Sequence, residues 1–344
     1  MKVGIMGLKG SGKTTIFNSL TGLTAKTGGY SSGEEVNLGL IKVPDKRIDT
    51  LSDIFKPKKT IYAEITFADI VMPLEKNIST SILEKLKYMD ALAFVIRGFN
   101  ESQVDFHPME DITNLYNELI LSDLAIAEKT LPRLKKERKD PLLIELMEKI
   151  YNNLNEEKPL SSLEMDERGL KLIVGYAFLS IKPILVVINT SESGLDEKLY
   201  TSIQGYCKAN NMGVMKLAGS LEEEISQLSP EEQGGFLKEM GLEESARERF
   251  IRESYEMLKL ISFFTVGEDE VRAWTIKKGD PAVKAAGKIH SDIERGFIRA
   301  EVVSYTDFIT YKNLAEVKKH GLLRLEGKEY QVQDGDIINF RFNV

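Results

Sequence analysis

The octet Gly7-Leu8-Lys9-Gly10-Ser11-Gly12-Lys13-Thr14 carries the residue types that wrap a chain around anionic oxygens. Its spacing is G-x-x-x-x-G-K-[ST], and it lies between an apolar run at 3–6 and a helical pattern at 14–20, the setting this motif requires. The glycines let the loop curl so that N–H groups of Gly10, Ser11 and Gly12 point inward, and the following helix adds the positive end of its dipole. Phosphate binding is the chemistry implied. Lys13 is placed to neutralise the β- and γ-phosphates of a nucleoside triphosphate and the charge that develops on transfer. Thr14 offers a hydroxyl to Mg2+, and the amide of Thr15 is placed for the α-phosphate.

Such a cradle needs a carboxylate at the end of a neighbouring strand, to hold the water shell of the metal. Asp69, the first polar residue past the apolar run in Glu64-Ile65-Thr66-Phe67-Ala68-Asp69, fits that place; a carboxylate capping a loop is the alternative. A base site is expected after the run 184–188, which ends in Asn189-Thr190-Ser191-Glu192. Guanine-specific proteins carry N-K-x-D there. Glu192 is one methylene longer than the aspartate, and Thr190 cannot lie along a base as a lysine stem does. Losing a well-made pair of hydrogen bonds weakens discrimination by orders of magnitude, so relaxed base choice that admits ATP, with GTP as the other candidate, is expected.

The elements that must position these groups are legible as alternation. Apolar runs at 3–6, 61–68, 91–96, 184–188 and 214–217 read as strands, each followed by a turn and usually a helix, which predicts a mostly parallel α/β sheet. From about 111 to 180 no strand pattern occurs. Ile120, Leu124, Ala127, Leu131 and Leu134 step by four and three as a helix seam does, with Pro132 expected to interrupt and bend it. Asp140-Pro141 predicts a reversal before a second helix with Leu143, Met147, Ile150 and Leu154 on one face. An antiparallel helical pair inserted in the α/β domain is the result. Runs at 263–266, 271–276, 297–303, 323–325, 330–332 and 337–342, around helices near 281–287 and 305–319, predict a separate small α+β domain. The expected division is therefore 1–110 with 171–260 as the nucleotide-binding domain, 111–170 as the helical insertion and 261–344 as the last domain.

Composition narrows the function classes. The 344 residues carry 42 % hydrophobic content, enough for more than one core. A single cysteine, Cys207, and a start that reads straight into a strand predict a reducing cytoplasmic setting. No apolar stretch approaches the roughly 18 residues of a membrane span. A net charge of −7 argues against wholesale binding to nucleic acid, and no DNA sequence specificity is expected. The run Lys135-Lys136-Glu137-Arg138-Lys139 is either a solvated helix end or a contact for RNA phosphates or an acidic partner.

Several blocks together resemble the YchF/Obg-like ATPases nearly end to end. They are Gly7 to Thr15 with Ile16-Phe17-Asn18-Ser19-Leu20-Thr21; Asn37-Leu38-Gly39-Leu40-Ile41-Lys42-Val43-Pro44-Asp45-Lys46-Arg47-Ile48-Asp49; Asn117 to Leu124; and Asn189 to Glu192, similar to that family's N-x-x-E. At the carboxy terminus Glu270-Val271-Arg272-Ala273-Trp274-Thr275-Ile276, residues 285–302, Gln333-Asp334-Gly335-Asp336 and Phe340-Arg341-Phe342-Asn343-Val344 are similar to the family's TGS domain, a β-grasp module. The resemblance implies a P-loop NTPase fold, slow Mg2+-dependent hydrolysis of ATP or GTP, and association with ribosomes or RNA in translation or stress responses.

Two stretches depart from the family pattern. Where a glycine-rich switch is expected, the chain reads Asp69-Ile70-Val71-Met72-Pro73-Leu74, and Pro73 has no amide to offer a γ-phosphate. Thr27 to Glu35 lacks a threonine at the place of the family's magnesium contact, with Ser31, Ser32, Glu34 and Glu35 as substitutes. No side chain stands out as general base. A nucleotide-bound scaffold that does not hydrolyse is thus the competing expectation. Asp334-Gly335-Asp336 reads as a turn, and His290, Arg295 and Arg299 read either as RNA contacts or as members of buried ion pairs.

Overall fold

The computed structural model describes residues 1–23, 36–70, 78–100, 106–239 and 244–343. In chain order, β1 (Lys2–Met6), α1 (Lys13–Thr21), β2 (Val36–Lys42), α2 (Lys46–Phe55), β3 (Lys59–Ile61), β4 (Glu64–Ile70), α3 (Thr80–Lys87) and β5 (Ala91–Gly98) come first. Helices α4 (Pro108–Lys136), α5 (Pro141–Asn155) and α6 (Glu167–Ile173) follow, then β6 (Ile184–Thr190), α7 (Glu197–Ala209), β7 (Gly213–Leu217), α8 (Gly219–Ser226), α9 (Pro230–Glu239) and α10 (Ala246–Met257). The last stretch holds β8 (Leu260–Val266), β9 (Glu270–Lys277), α11 (Ala282–Ile289), α12 (Ser291–Arg295), β10 (Phe297–Ser304), α13 (Tyr305–Tyr311), α14 (Leu314–Lys319), β11 (Arg324–Glu326) and β12 (Asp336–Phe342).

Contacts divide the chain into two units: Met1–Ile41 with Thr66–Glu253, and Lys42–Ile65 with Ser254–Val344. The first is built on a sheet of order β2-β4-β1-β5-β6-β7, in which the pairs β1–β4, β1–β5, β5–β6 and β6–β7 are parallel. Strands buried on both faces need near-continuous apolar sequence, and β6 is buried along its whole length. Its core runs from Phe94 and Val186 into the helical pair, where Ile120, Ala127 and Leu134 on α4 meet Met147, Ile150 and Leu154 on α5. The expected seams are therefore the buried faces. Helix α4 continues through Pro132 to Lys136 rather than stopping there. Fully buried Asp123 fixes α4 by accepting from Leu179 N, Ser180 N and Ser180 Oγ at 2.8, 2.7 and 2.7 Å. Cys207 lies in the same core, where burial pushes its thiol up to about 12.

The second unit carries a sheet of order β11-β10-β12-β8-β9-β3, mixed in direction: β8–β9 and β10–β12 are antiparallel, β12–β8 and β3–β9 parallel. Phe263, Phe297 and Phe340 pack with Ala282, Ala285 and Ala286 of α11, where alanines let helix and sheet approach closely. The indole of Trp274 stacks near Phe263, donates Nε1–H to Thr265 Oγ1 at 3.0 Å and carries the Arg272 guanidinium 3.9 Å from its ring centre.

Several expectations need correction. The run read as one strand at 61–68 is two, β3 and β4, separated at Tyr62 and Ala63 and joined to different sheets. Residues 330–332 form only an isolated bridge, Gln331 with Pro281, because the chain there turns towards Asp336. The helical stretch 305–319 breaks into α13 and α14 at Lys312, which adopts φ 53°. The first domain was expected to run unbroken from 1 to 110, yet 42–65 groups with the carboxy-terminal unit. Arg47 shows why: it binds Asp45 through Nε at 2.9 Å and Asp334 through Nη1 at 2.7 Å, over the ring of Phe264.

Candidate nucleotide site

The loop between β1 and α1 is shaped by what its glycines exclude. Gly10 and Gly12 take φ 79° and 82°, a region open to glycine at little cost. A Cβ on Gly7 would lie 2.2 Å from the Val95 carbonyl oxygen, and one on Gly12 would lie 2.1 Å from Asn189 Nδ2. The loop therefore sits directly against β5 and the end of β6. Gly12 is the N-cap of α1, which starts at Lys13 and presents its unpaired N–H groups to the loop.

Inside this cradle the charged groups are few and close. Lys13 Nζ donates to Leu8 O at 3.3 Å, and burial pulls its ammonium below the ordinary lysine range, opposed by the charge of Asp69. A half-buried cation whose hydrogen bond, among the described residues, goes to a carbonyl is one that an anion would stabilise. Asp69, 1 % exposed at the end of β4, accepts on Oδ2 from Thr14 Oγ1 at 3.2 Å and from Asn37 Nδ2 at 3.4 Å. Among the described residues its buried Oδ1 finds no partner, nor does the buried hydroxyl of Ser11. Buried polar atoms are almost always satisfied, so two orphans in one cradle mark a place built for something more.

That something fits a hydrated divalent cation and phosphate oxygens. No cluster of three or more His, Cys, Asp or Glu able to hold a metal occurs among the described residues. Mg2+ characteristically keeps several waters and takes one or two protein oxygens plus phosphates, which matches Thr14 Oγ1 with the Asp69 carboxylate beside it.

Asn189, expected at the base, uses its side chain otherwise. Nδ2 donates to Ser11 O at 3.0 Å, and Oδ1 accepts from Gly219 N at 3.0 Å, so the residue staples the loop to the start of α8. A Cβ at Gly219 would meet Asn189 Oδ1 and Ile16 Cδ1, both at 2.8 Å, so a glycine stands there. Thr190 is buried, whereas Glu192 is exposed in a turn closed by Gly194 N donating to Ser191 O. The structure thus brings Ser11, Gly12, Lys13, Thr14, Asp69 and Asn189 together. Thr15 is half-buried in the first turn of α1, and Gly10 is exposed at the loop's rim.

Over this same chain, comparison with known proteins is decisive. A ribosome-binding ATPase YchF from Bacillus subtilis is 38 % identical across 100 % of both chains. One from Pasteurella multocida is 37 % identical over 100 % of this chain and 99 % of its own. The chain belongs to the YchF family. Its carboxy-terminal stretch 260–343 matches the profile of the YchF-GTPase C-terminal region, described as a protein of unknown function (DUF933). The solved structure of the Schizosaccharomyces pombe YchF GTPase superposes with a TM-score of 0.85 at 27 % identity, covering 99 % of this chain and 97 % of that one.

Other expected functional positions fall less centrally in this YchF-family chain. The altered switch stretches, Thr27 to Glu35 and Val71 to Leu74 with Met72 and Pro73, lie outside the described residues. Arg295 pairs with Asp292 on the surface, His290 caps α12 by accepting from Asp292 N at 3.2 Å, and Arg299 is exposed, so none belongs to a buried ion pair. Asp334-Gly335-Asp336 does turn, with Gly335 at φ 86°, but Asp334 also accepts from Ser262 N and holds Arg47. At the helical tip Lys135 pairs with Glu148 and Lys139 with Glu137. Sequence reasoning missed Asn37, and with it Asn18, whose Nδ2 ties α1 to Glu223 of α8 at 2.9 Å. No helix among the described residues is long and apolar enough to cross a membrane.

Proposed function

We propose that the chain binds a purine nucleoside triphosphate with Mg2+ at the loop between β1 and α1 and hydrolyses it slowly, in a cycle tied to the ribosome. The observation that carries this reading is the cradle itself: a half-buried Lys13 that feels the charge of Asp69, in a loop where, among the described residues, the buried Ser11 hydroxyl and Asp69 Oδ1 find no partner. Loop N–H groups and Lys13 bind and orient the phosphates, and the Thr14 hydroxyl keeps its proton on Asp69 while its lone pairs stay available. A bound Mg2+ supplies neutralisation of the charge that grows on the transferring phosphoryl oxygens. Thr14 and Asp69, the latter through water, are the residues that would hold it.

Base choice is read as relaxed, with ATP favoured and GTP accepted. Thr190 and exposed Glu192 replace the pair that would select guanine, and the relatives are named for both, ATPase in Bacillus and GTPase in the fission yeast. The ribosomal part rests on relatives named ribosome-binding that match over the full chain, and cytoplasmic placement follows from such a partner.

Phosphate release by the pure protein tests the reaction. Wild type should turn over ATP slowly, and Lys13→Ala should lower that rate by at least about a hundredfold, the scale of losing one preorganised donor to developing charge. Pro73, which has no amide to meet a γ-phosphate, favours a second reading, a nucleotide-bound adaptor without turnover. Equal, background-level release by both proteins, with nucleotide still bound, would establish the adaptor. Sedimentation with ribosomes in the ATP, ADP and nucleotide-free states tests the partner; absence from the ribosomal fraction in all three removes it.

A further inference from the structure

Asn37 has no part in the phosphate-binding motif, yet its side chain reaches the carboxylate on which the metal site depends. It lies on β2, the strand at the edge of the first sheet next to β4, and β4 ends in Asp69. Among the described residues Asp69 Oδ2 receives two donors, Thr14 Oγ1 at 3.2 Å and Asn37 Nδ2 at 3.4 Å, while the buried Oδ1 receives none. A carboxylate pinned at one oxygen can rotate only about that pin. With two donors converging on Oδ2 from different elements, α1 and β2, the carboxylate is held beside the Thr14 hydroxyl, where it can accept a hydrogen bond from a metal-bound water.

We propose that Asn37 is a positioning residue for the cation site: it holds the Asp69 carboxylate beside the Thr14 hydroxyl, within reach of the hydration shell of Mg2+. This inference rests on the metal-dependent nucleotide reading above. The two donors differ in kind. Thr14 is itself offered to the metal, so its hydrogen bond to Asp69 shifts when a cation arrives. Asn37 carries no group that a magnesium ion must displace, and its amide stays on Oδ2 in both conditions. Outer partners of this sort set ligand orientation, and their loss commonly costs about 10- to 100-fold in metal affinity. A carboxamide also donates without adding charge, so the site keeps one carboxylate and stays matched to a hydrated divalent ion rather than to a cage of its own.

The test is a binding measurement, independent of turnover. Affinity for a fluorescent ATP analogue is titrated in Mg2+ and again in EDTA, for wild type, Asn37→Ala and Asn37→Gln. The ratio of the two affinities is the readout. Asn37→Ala should lower that ratio about tenfold while its affinity in EDTA stays that of wild type. Asn37→Gln, which keeps the donor on a longer arm, should recover part of the ratio. Equal losses in Mg2+ and EDTA would make Asn37 a merely structural residue and overturn the proposal, as would an unchanged ratio in Asn37→Ala. Should Asn37→Ala not fold, the Asn37→Gln ratio decides alone: a value identical to wild type across Mg2+ concentrations counts against positioning, and a shifted Mg2+ dependence at unchanged EDTA affinity supports it. Wild type failing to bind in either condition would instead defeat the nucleotide reading.

Discussion

At the scale of single residues, the site depends on where a side chain is forbidden as much as on where one reaches. Gly12 combines φ 82° with a neighbour, Asn189 Nδ2, 2.1 Å from where a Cβ would stand. Gly12→Ala should therefore lower stability by roughly 1–3 kcal/mol, through backbone strain and a displaced Asn189 staple. Gly205 provides the contrast: it is exposed within α7, with open space where a Cβ would go, and Gly205→Ala should raise stability by about 0.5–1 kcal/mol. Urea unfolding of the two variants checks both signs. The motif around Gly12 was legible because every part of it is local. Asn189 was read as a base contact because its partners are not: Ser11 is 178 residues away and Gly219 is 30. Asn37 stands in a block that carries the family resemblance, but its role is hidden for the same reason, since an asparagine in a strand gives no local sign of a carboxylate on the neighbouring strand.

Elements were legible where their period was clean. The α4 seam and the fully buried β6 follow directly from spacing, and both are where the pattern places them. Asp123 broke that pattern inconspicuously, as one charge among the polar residues of a long helix, although it is the polar group that anchors α4. Burial outweighs its three donors and pushes its carboxyl up to about 6. The unfolded chain releases that proton near pH 4, so between about 4 and 6 the folded state binds more protons than the unfolded one. Stability from this site is therefore greatest at the acid end and falls as pH rises through the window, by roughly 2–3 kcal/mol, then levels off. Urea unfolding of wild type and Asp123→Asn from pH 4 to 7 should show the wild-type curve falling relative to the variant. Parallel curves would mean the carboxyl titrates at its ordinary value. The split of 61–68 into β3 and β4 was out of reach, because no composition signal at Tyr62-Ala63 tells that the two halves join different sheets.

Across the whole molecule, the chain leaves its first unit at the end of β2 and returns in β4, contributing α2 to the second unit and β3 to a sheet otherwise made near the carboxy terminus. The Asp45-to-Arg47 and Asp334-to-Asp336 blocks, which looked like unrelated signatures, meet in one arrangement around Arg47. It follows that a chain ended at Glu253 should leave 42–65 without its sheet partner and without Asp334. Limited trypsin digestion should then cut it at Lys58 or Lys59 at least about tenfold faster than the full chain, since cleavage tracks local opening. Equal rates would show that 42–65 holds itself together. The same partition has an optical consequence. The single thiol, Cys207, lies in the core of the first unit and the single indole, Trp274, in the second, so each unit carries its own native reporter. Thiol labelling during unfolding and tryptophan emission will follow the two separately, and any difference between their midpoints measures directly how far the units melt as one.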